Sequence, residues 1–356
     1  MTSRRHRMFI IILIGMVATC FVPRWVFGEE APEVAPIDDD LMASIVERVC
    51  EDLELKYVFE DDARRMCGLL HTSLGSGAYA NLDSLAAFTE RLTQDLRSVR
   101  RDLHLEVFTI DPVDEQTEED LDHHDPEYLR RLNSRFRKVE ILEGNVGYLA
   151  LDGFANDDGA GAAAVAAMNF LARTDALIID LRENGGGGVA IIQLLISYLC
   201  EGREQLSSIY IRETDTELQF WTNRFVEGPR LADVPVWVLV SNRTFSAAEA
   251  FAYDFKHLGR GQIVGEATRG GAHPVHNVDY PDLGITVRVP FARAVNPVTG
   301  GNWEEIGVQP DVIVPSEDAL AVSHAAALRF ILEKENDPAW REWLQRTLDA
   351  VISKTK

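Results

Sequence analysis

The chain has 356 residues, 46% hydrophobic and 26% charged, with 35 basic against 57 acidic side chains and a formal net charge of -22. That composition is globular and long enough for a sizeable core with more than one folding unit. The acidic excess argues against nucleic acid or an anionic membrane as partner, because both need a basic footprint, and the composition excludes collagen-like, disulfide-dense and wholly disordered chains.

Arg4, Arg5 and Arg7 precede an apolar run from Met8 to Val22, and Val26-Phe27-Gly28 closes it before acidic sequence begins. A basic start, an apolar stretch of roughly 15 residues and a small-residue exit read as a secretory signal peptide over 1–28, short of the roughly 20 residues a membrane span needs. The expected location is therefore periplasmic or extracellular, with an uncleaved anchor, or a lipid attached at Cys20, as lesser alternatives. Residues 29–40 have the charge and proline content of a disordered lead-in.

Over residues 41–104 apolar side chains recur at three and four spacing: Ile45, Val49, Leu53, then Leu69, Leu70, Leu74, then Leu85, Phe88, Leu92, Leu96. The spacing predicts a small helical domain. Residues 105–137 form a linker whose centre, 111–127, is acidic and proline-bounded. His123 and His124 in it are read as solvated side chains, and no metal or other cofactor is expected. Cys50, Cys67 and Cys200 make no C-x-x-C pair; Cys50 and Cys67 are candidates either for pairing or for buried thiols.

Residues 138–316 alternate between strand and helix. Strands are predicted at Val146–Leu151, Ala176–Leu181, Ser208–Arg212, Val234–Val240 and Gln262–Val264, and helices at Ala160–Leu171, Val189–Leu199 and Ala247–His257, with β-rich sequence to Val314. The continuous apolar runs ALIIDL and VPVWVLV are the pattern of buried parallel strands, so the fold class is α/β, built of βαβ units. Helices resume over 317–356.

Two loops follow those buried strands, where α/β folds place their sites. Asp180–Gly188 (DLRENGGGG) ends in four glycines that let a substrate backbone or an oxyanion approach, or that merely form a flexible turn. Ser241–Glu249 (SNRTFSAAE) presents Ser246 at a helix start, where free N–H groups favour negative charge. Ser246 is a candidate nucleophile there, or, like Thr244, a helix cap completed by Glu249.

Three motifs in order, DLRENGGGG, TFSAAEAFAYDFKHLGRGQIVGEATRGGAH and WEEIGVQPDV, resemble the C-terminal processing peptidases (tail-specific proteases), and above all the branch of the tricorn core protease and interphotoreceptor retinoid-binding protein. The resemblance implies a crotonase-like (ClpP-like) core after a helical domain, and a serine-type peptidase acting on polypeptides. It implies Ser246 as nucleophile, His104 of Asp102-Leu103-His104 as base, and Glu304 as orienting acid, with Glu305 the neighbouring alternative. Ala247 with Gly186 or Gly187 would supply the oxyanion donors. Gly271 stands where Ser-Lys members carry their lysine, Lys256 lies nearly three turns beyond Ser246, and no PDZ domain fits the length. Leu103 replaces a serine that bridges base and acid in the tricorn protease, so the relay must be direct, weakened or carried by water. His273 and His276 are reserve bases. The rival function is a non-catalytic carrier of small apolar ligands.

Overall fold

The computed structural model describes residues 37–110 and 126–353. Residues 1–28, expected to be a signal peptide, Cys20 among them, and the His123–His124 pair lie outside the described residues. In chain order the helices and strands are α1 (Asp39–Lys56), α2 (Glu60–Gly75), α3 (Leu85–Val99), β1 (Glu106–Thr109), α4 (Pro126–Arg131), β2 (Phe136–Leu142), β3 (Val146–Leu151), α5 (Ala160–Phe170), β4 (Ala176–Asp180), α6 (Val189–Leu199), β5 (Ser208–Ile211), β6 (Thr216–Leu218), β7 (Val236–Val240), α7 (Ala247–His257), β8 (Gln262–Gly265), β9 (Val275–Tyr280), β10 (Ile285–Pro290), β11 (Ala292–Val295), β12 (Val312–Ile313), α8 (Ala319–Lys334) and α9 (Pro338–Ser353).

The central sheet has six strands in the order β12-β8-β7-β4-β3-β2, parallel throughout except for the β2–β3 hairpin. Alternation along each strand divides its side chains between two cores. Leu177, Ile179, Val238 and Val240 point to the side covered by α5, α6 and α7. Ile178, Trp237 and Leu239 point to the side covered by α8 and α9. Strands buried on both faces need apolar residues at every position, which is why β4 and β7 read as unbroken apolar runs. The structure is the mixed α/β fold expected, with helices at its N-terminal end.

The helical region differs from its expected boundaries at both ends. The acidic residues counted into the lead-in begin α1: Asp38 caps it by accepting the Leu41 N–H at 2.8 Å, and Asp39 and Asp40 fill its first turn, where carboxylates meet the helix dipole favourably. Its core, containing Ile45, Val49, Leu53, Phe88 and Leu92, is completed by Ile285, Val287 and Val289 of β10. That strand pairs antiparallel with β1 on one side and β9 on the other, so β1 lies inside the stretch read as linker. The third sheet is antiparallel, in the order β11-β5-β6.

Cys50, Cys67 and Cys200 are buried free thiols. No helix among the described residues is long and apolar enough to cross a membrane.

Candidate active site

Because β4 and β7 are adjacent and parallel, the loops leaving their C-terminal ends emerge side by side. Hydrogen bonds then lock one loop to the other. Thr244 Oγ1 donates to Leu181 O at 2.8 Å, Ser241 Oγ to Arg182 O at 2.6 Å, and the Phe245 N–H to Asn184 O at 3.1 Å. Thr244 is thus a brace between loops, and Ser246 occupies the cap position of α7.

Ser246 has φ +54° and ψ -119°, a left-handed conformation that costs a non-glycine residue of order 1–3 kcal/mol and persists only where neighbours impose it. The neighbour here is Glu249, fully buried, whose carboxylate accepts the N–H groups of Ser246 (2.8 Å), Gly270 (2.7 Å) and Gly271 (2.9 Å) and the Thr268 hydroxyl. Burial pushes the Glu249 carboxyl up to about 7, against the pull of those donors. One side chain therefore fixes both the serine turn and the segment that leads to His273.

The glycine loop closes on the serine. Gly186 and Gly187 have φ of +115° and +125°, and a Cβ on Gly186 would lie 2.9 Å from Ser246 Cβ. The Gly186 N–H already donates to Asn184 Oδ1 at 2.9 Å, so that candidate donor is occupied. Among the described residues no acceptor is bonded to the N–H of Ala247 or of Gly187. A cavity of about 180 Å³ opens beside them, lined by Ser246, Ala247, Gly187 and His273 and by apolar walls including Ile192, Leu206, Phe220 and Trp303. Asp254 borders it, yet its carboxylate is spent on Ser207 N, Ser207 Oγ and Asn296 Nδ2, and burial raises it to about 6.

His104 is 8% exposed, and its ring stacks on Phe245, the residue before Ser246, with centroids 4.5 Å apart. Its Nδ1 is buried without a partner among the described residues. Burial, outweighing the pull of Asp102, lowers the imidazole to about 4, so at neutral pH it is an uncharged base. Glu304 is buried beside it. One oxygen, Oε2, accepts the Ala272 N–H at 2.5 Å while Oε1 has no partner among the described residues, and burial raises the carboxyl to about 7. One ligand atom each of Asp102, His104 and Glu304 lies within 4.8 Å of the other two, a set with the donors to hold a divalent ion.

Glu305 turns outward instead, at φ +67°, and meets Arg100 at 3.6 Å. His276 is exposed on β9 and stacks on Phe291, while Lys256 is engaged by Asp311 at 2.8 Å and Gln309 O at 2.6 Å.

Three groups escaped the sequence reading. Asp102 was visible only as the first letter of a motif; it is fully buried and accepts from His104 N (3.1 Å), Tyr57 Oη (3.2 Å) and His273 Nδ1 (2.7 Å). Burial would raise its carboxyl, but His273 and His104 hold it below the usual range. Glu249 reads from the sequence as a cap alone, and its three-residue distance from Ser246 is the available signal. Tyr57, at the end of α1, carried none.

The sequence profile described as peptidase family S41 matches residues 145–314, and that of the N-terminal domain of Peptidase_S41 in eukaryotic IRBP matches residues 32–143. The carboxyl-terminal-processing protease of Picosynechococcus sp. is 29% identical over 193 residues, 52% of this chain and 43% of that protein. The chain thus spans less than half the length of this relative. Mature CPAF shares the fold with a TM-score of 0.57 at 13% identity, over 87% of this chain and 96% of its own. The tricorn protease does so with a TM-score of 0.53 at 15% identity, over 84% of this chain and 37% of its own. With two profiles of one family lying end to end over residues 32–314, and the core laid out as in those structures, the chain belongs to peptidase family S41.

Proposed function

We propose that this chain is an exported serine endopeptidase that cuts extended or unfolded polypeptides. The observation that carries the reading is Ser246, held at φ +54° and lining one cavity with Ala247 and Gly187, whose N–H groups are unbonded among the described residues. Ser246 Oγ would attack the peptide carbonyl while His104 takes its proton; the same proton then leaves on the departing amine. Glu304 steadies the imidazolium. The carbonyl oxygen, as it gains charge, enters the space in front of Ala247 and Gly187, where fixed dipoles need no reorganisation. The cavity receives a substrate side chain, and its walls suit an apolar one because Asp254 has no free valence for a cation. The polypeptide would lie along the cleft by main-chain hydrogen bonding, a mode that selects weakly among side chains. Export rests on the character of residues 1–28.

A second reading, a carrier of small apolar ligands, is favoured by the same apolar cavity. Labelling with a serine-reactive fluorophosphonate separates them. The wild type is expected to label at Ser246 and to cleave an unfolded model polypeptide, and Ser246→Ala to do neither while remaining folded. An unlabelled wild type that binds an apolar fluorophore in the cavity would establish the carrier instead.

A further inference from the structure

Behind the Ser246 turn two carboxylates and two histidines are packed together, each at most 9% exposed: Asp102, Glu304, His104 and His273. They come from three separate stretches of chain. Asp102 and His104 lie between α3 and β1, His273 precedes β9, and Glu304 sits in the loop before β12. One ring atom reaches both carboxylates. His273 Nδ1 is 2.7 Å from Asp102 Oδ2 and 3.5 Å from Glu304 Oε2.

The backbone around His273 leaves it little freedom. The N–H groups of Gly270 and Gly271 are bonded to Glu249, and that of Ala272 to Glu304, so three successive amides are tied down immediately before the ring. Phe59 packs against the imidazole edge-on, with centroids 5.5 Å apart. Since a carboxylate oxygen can only accept, Nδ1 carries the proton in this contact, and the second nitrogen is left to be the acceptor in the neutral ring.

Two carboxylates side by side in a medium of low dielectric repel each other unless a donor stands between them. Asp102 also accepts the His104 backbone N–H, so whatever fixes Asp102 fixes the base. His104 Nδ1 and Glu304 Oε1 are the two atoms the relay must join, and both are buried and have no partner among the described residues.

We infer that His273 is a positioning residue of the Ser246 site: its Nδ1–H clamps Asp102 and Glu304 together and thereby brings His104 and Glu304 into register. The assignment rests on Ser246 being the nucleophile. It is distinct from a role as base, which would use Nε2, an atom likewise buried without a partner among the described residues, on a residue lining the cavity.

Two variants separate these roles. His273→Asn keeps an N–H donor near the position of Nδ1 and deletes Nε2, whereas His273→Leu keeps the bulk against Phe59 and deletes both. Fluorophosphonate reaction at Ser246 and peptide kinetics are measured for each, with circular dichroism and thermal melting to establish folding. The expected result is a folded His273→Leu enzyme whose kcat falls about 10- to 100-fold, the loss usual when an orienting partner is removed, with KM little changed, and a His273→Asn enzyme that recovers most of that loss. A folded but inactive His273→Asn would overturn the inference in favour of a base role, and an active His273→Leu would overturn it in favour of no role. Should His273→Leu fail to fold, the asparagine variant still decides between clamp and base. Failure of the wild type itself to label would instead refute the nucleophile assignment; the clamp would then stand or fall on the low-field imidazole proton expected of the 2.7 Å Asp102–His273 bond in wild type and absent from Asp102→Asn.

Discussion

At the scale of single residues the site is a set of groups displaced from their ordinary protonation, and their displacements predict its pH dependence. Burial lowers His104 to about 4, so it remains uncharged and able to accept a proton across the neutral range. Burial raises Glu304 to about 7, with Asp102 adding to the rise and His273 opposing it. A protonated Glu304 cannot steady an imidazolium as a carboxylate does. The rate of fluorophosphonate reaction is therefore expected to climb as pH rises through about 7 and to level off above it. Glu304→Gln should react more slowly and lose that step. A step that survives the substitution, or one centred near 4, would assign the dependence to another group. Stability should run the other way. The folded protein holds the Glu304 proton more tightly than the unfolded chain, whose carboxyl titrates near 4.5, so the contribution is complete below that value and is lost as pH rises through about 7.

At the scale of elements, what was legible followed from how much of the signal was local. The β4 and β7 runs announced themselves because strands buried on both faces must be apolar throughout, and adjacency of their loops follows from parallel pairing. The β9–β10 hairpin was legible only as β-rich sequence. Nothing in its own residues says that its partner is β1, well over a hundred positions earlier, because that choice is made by the helical core it completes. The division of labour inside the glycine loop was also hidden, since four identical letters give no hint of which amides are free. The structure separates them. Among the described residues a Cβ on Gly185 would meet nothing within 4 Å, whereas one on Gly187 would lie 2.1 Å from Phe154 O at φ +125°. Gly185→Ala should accordingly leave labelling and melting temperature near wild type. Gly187→Ala should force the loop away from Ser246 and cost at least about 100-fold in rate, the loss expected when an oxyanion donor is removed. Equal behaviour of the two variants would show that the loop is not held against Phe154 as described.

At the scale of the whole molecule, the site depends on a contact between distant parts of the chain. Ser246 and its loops belong to the six-stranded sheet, but the proposed base and Asp102 arrive on the segment joining α3 to β1. That segment is held by β1 pairing with β10 and by β10 supplying Ile285, Val287 and Val289 to the core of α1–α3. The chain enters this core near its start and again after most of the α/β core has been made, so neither portion completes it alone. This is why a boundary drawn after residue 104 divides the sequence but not the packing. Ile285 tests the dependence, being fully buried and outside the proposed site. Ile285→Ala should lower the unfolding free energy by about 2–5 kcal/mol, the usual cost of such a truncation in a packed core. Urea denaturation with an unchanged m-value would measure it. If β10 and the helices are one core, the loss will appear in the unfolding of the helices themselves, as faster hydrogen exchange of Val49, Leu53 and Leu92 amides as well as of β10. Exchange that quickens in β10 alone would mean that the helices stand without the hairpin, and that the His104 segment is anchored by them alone.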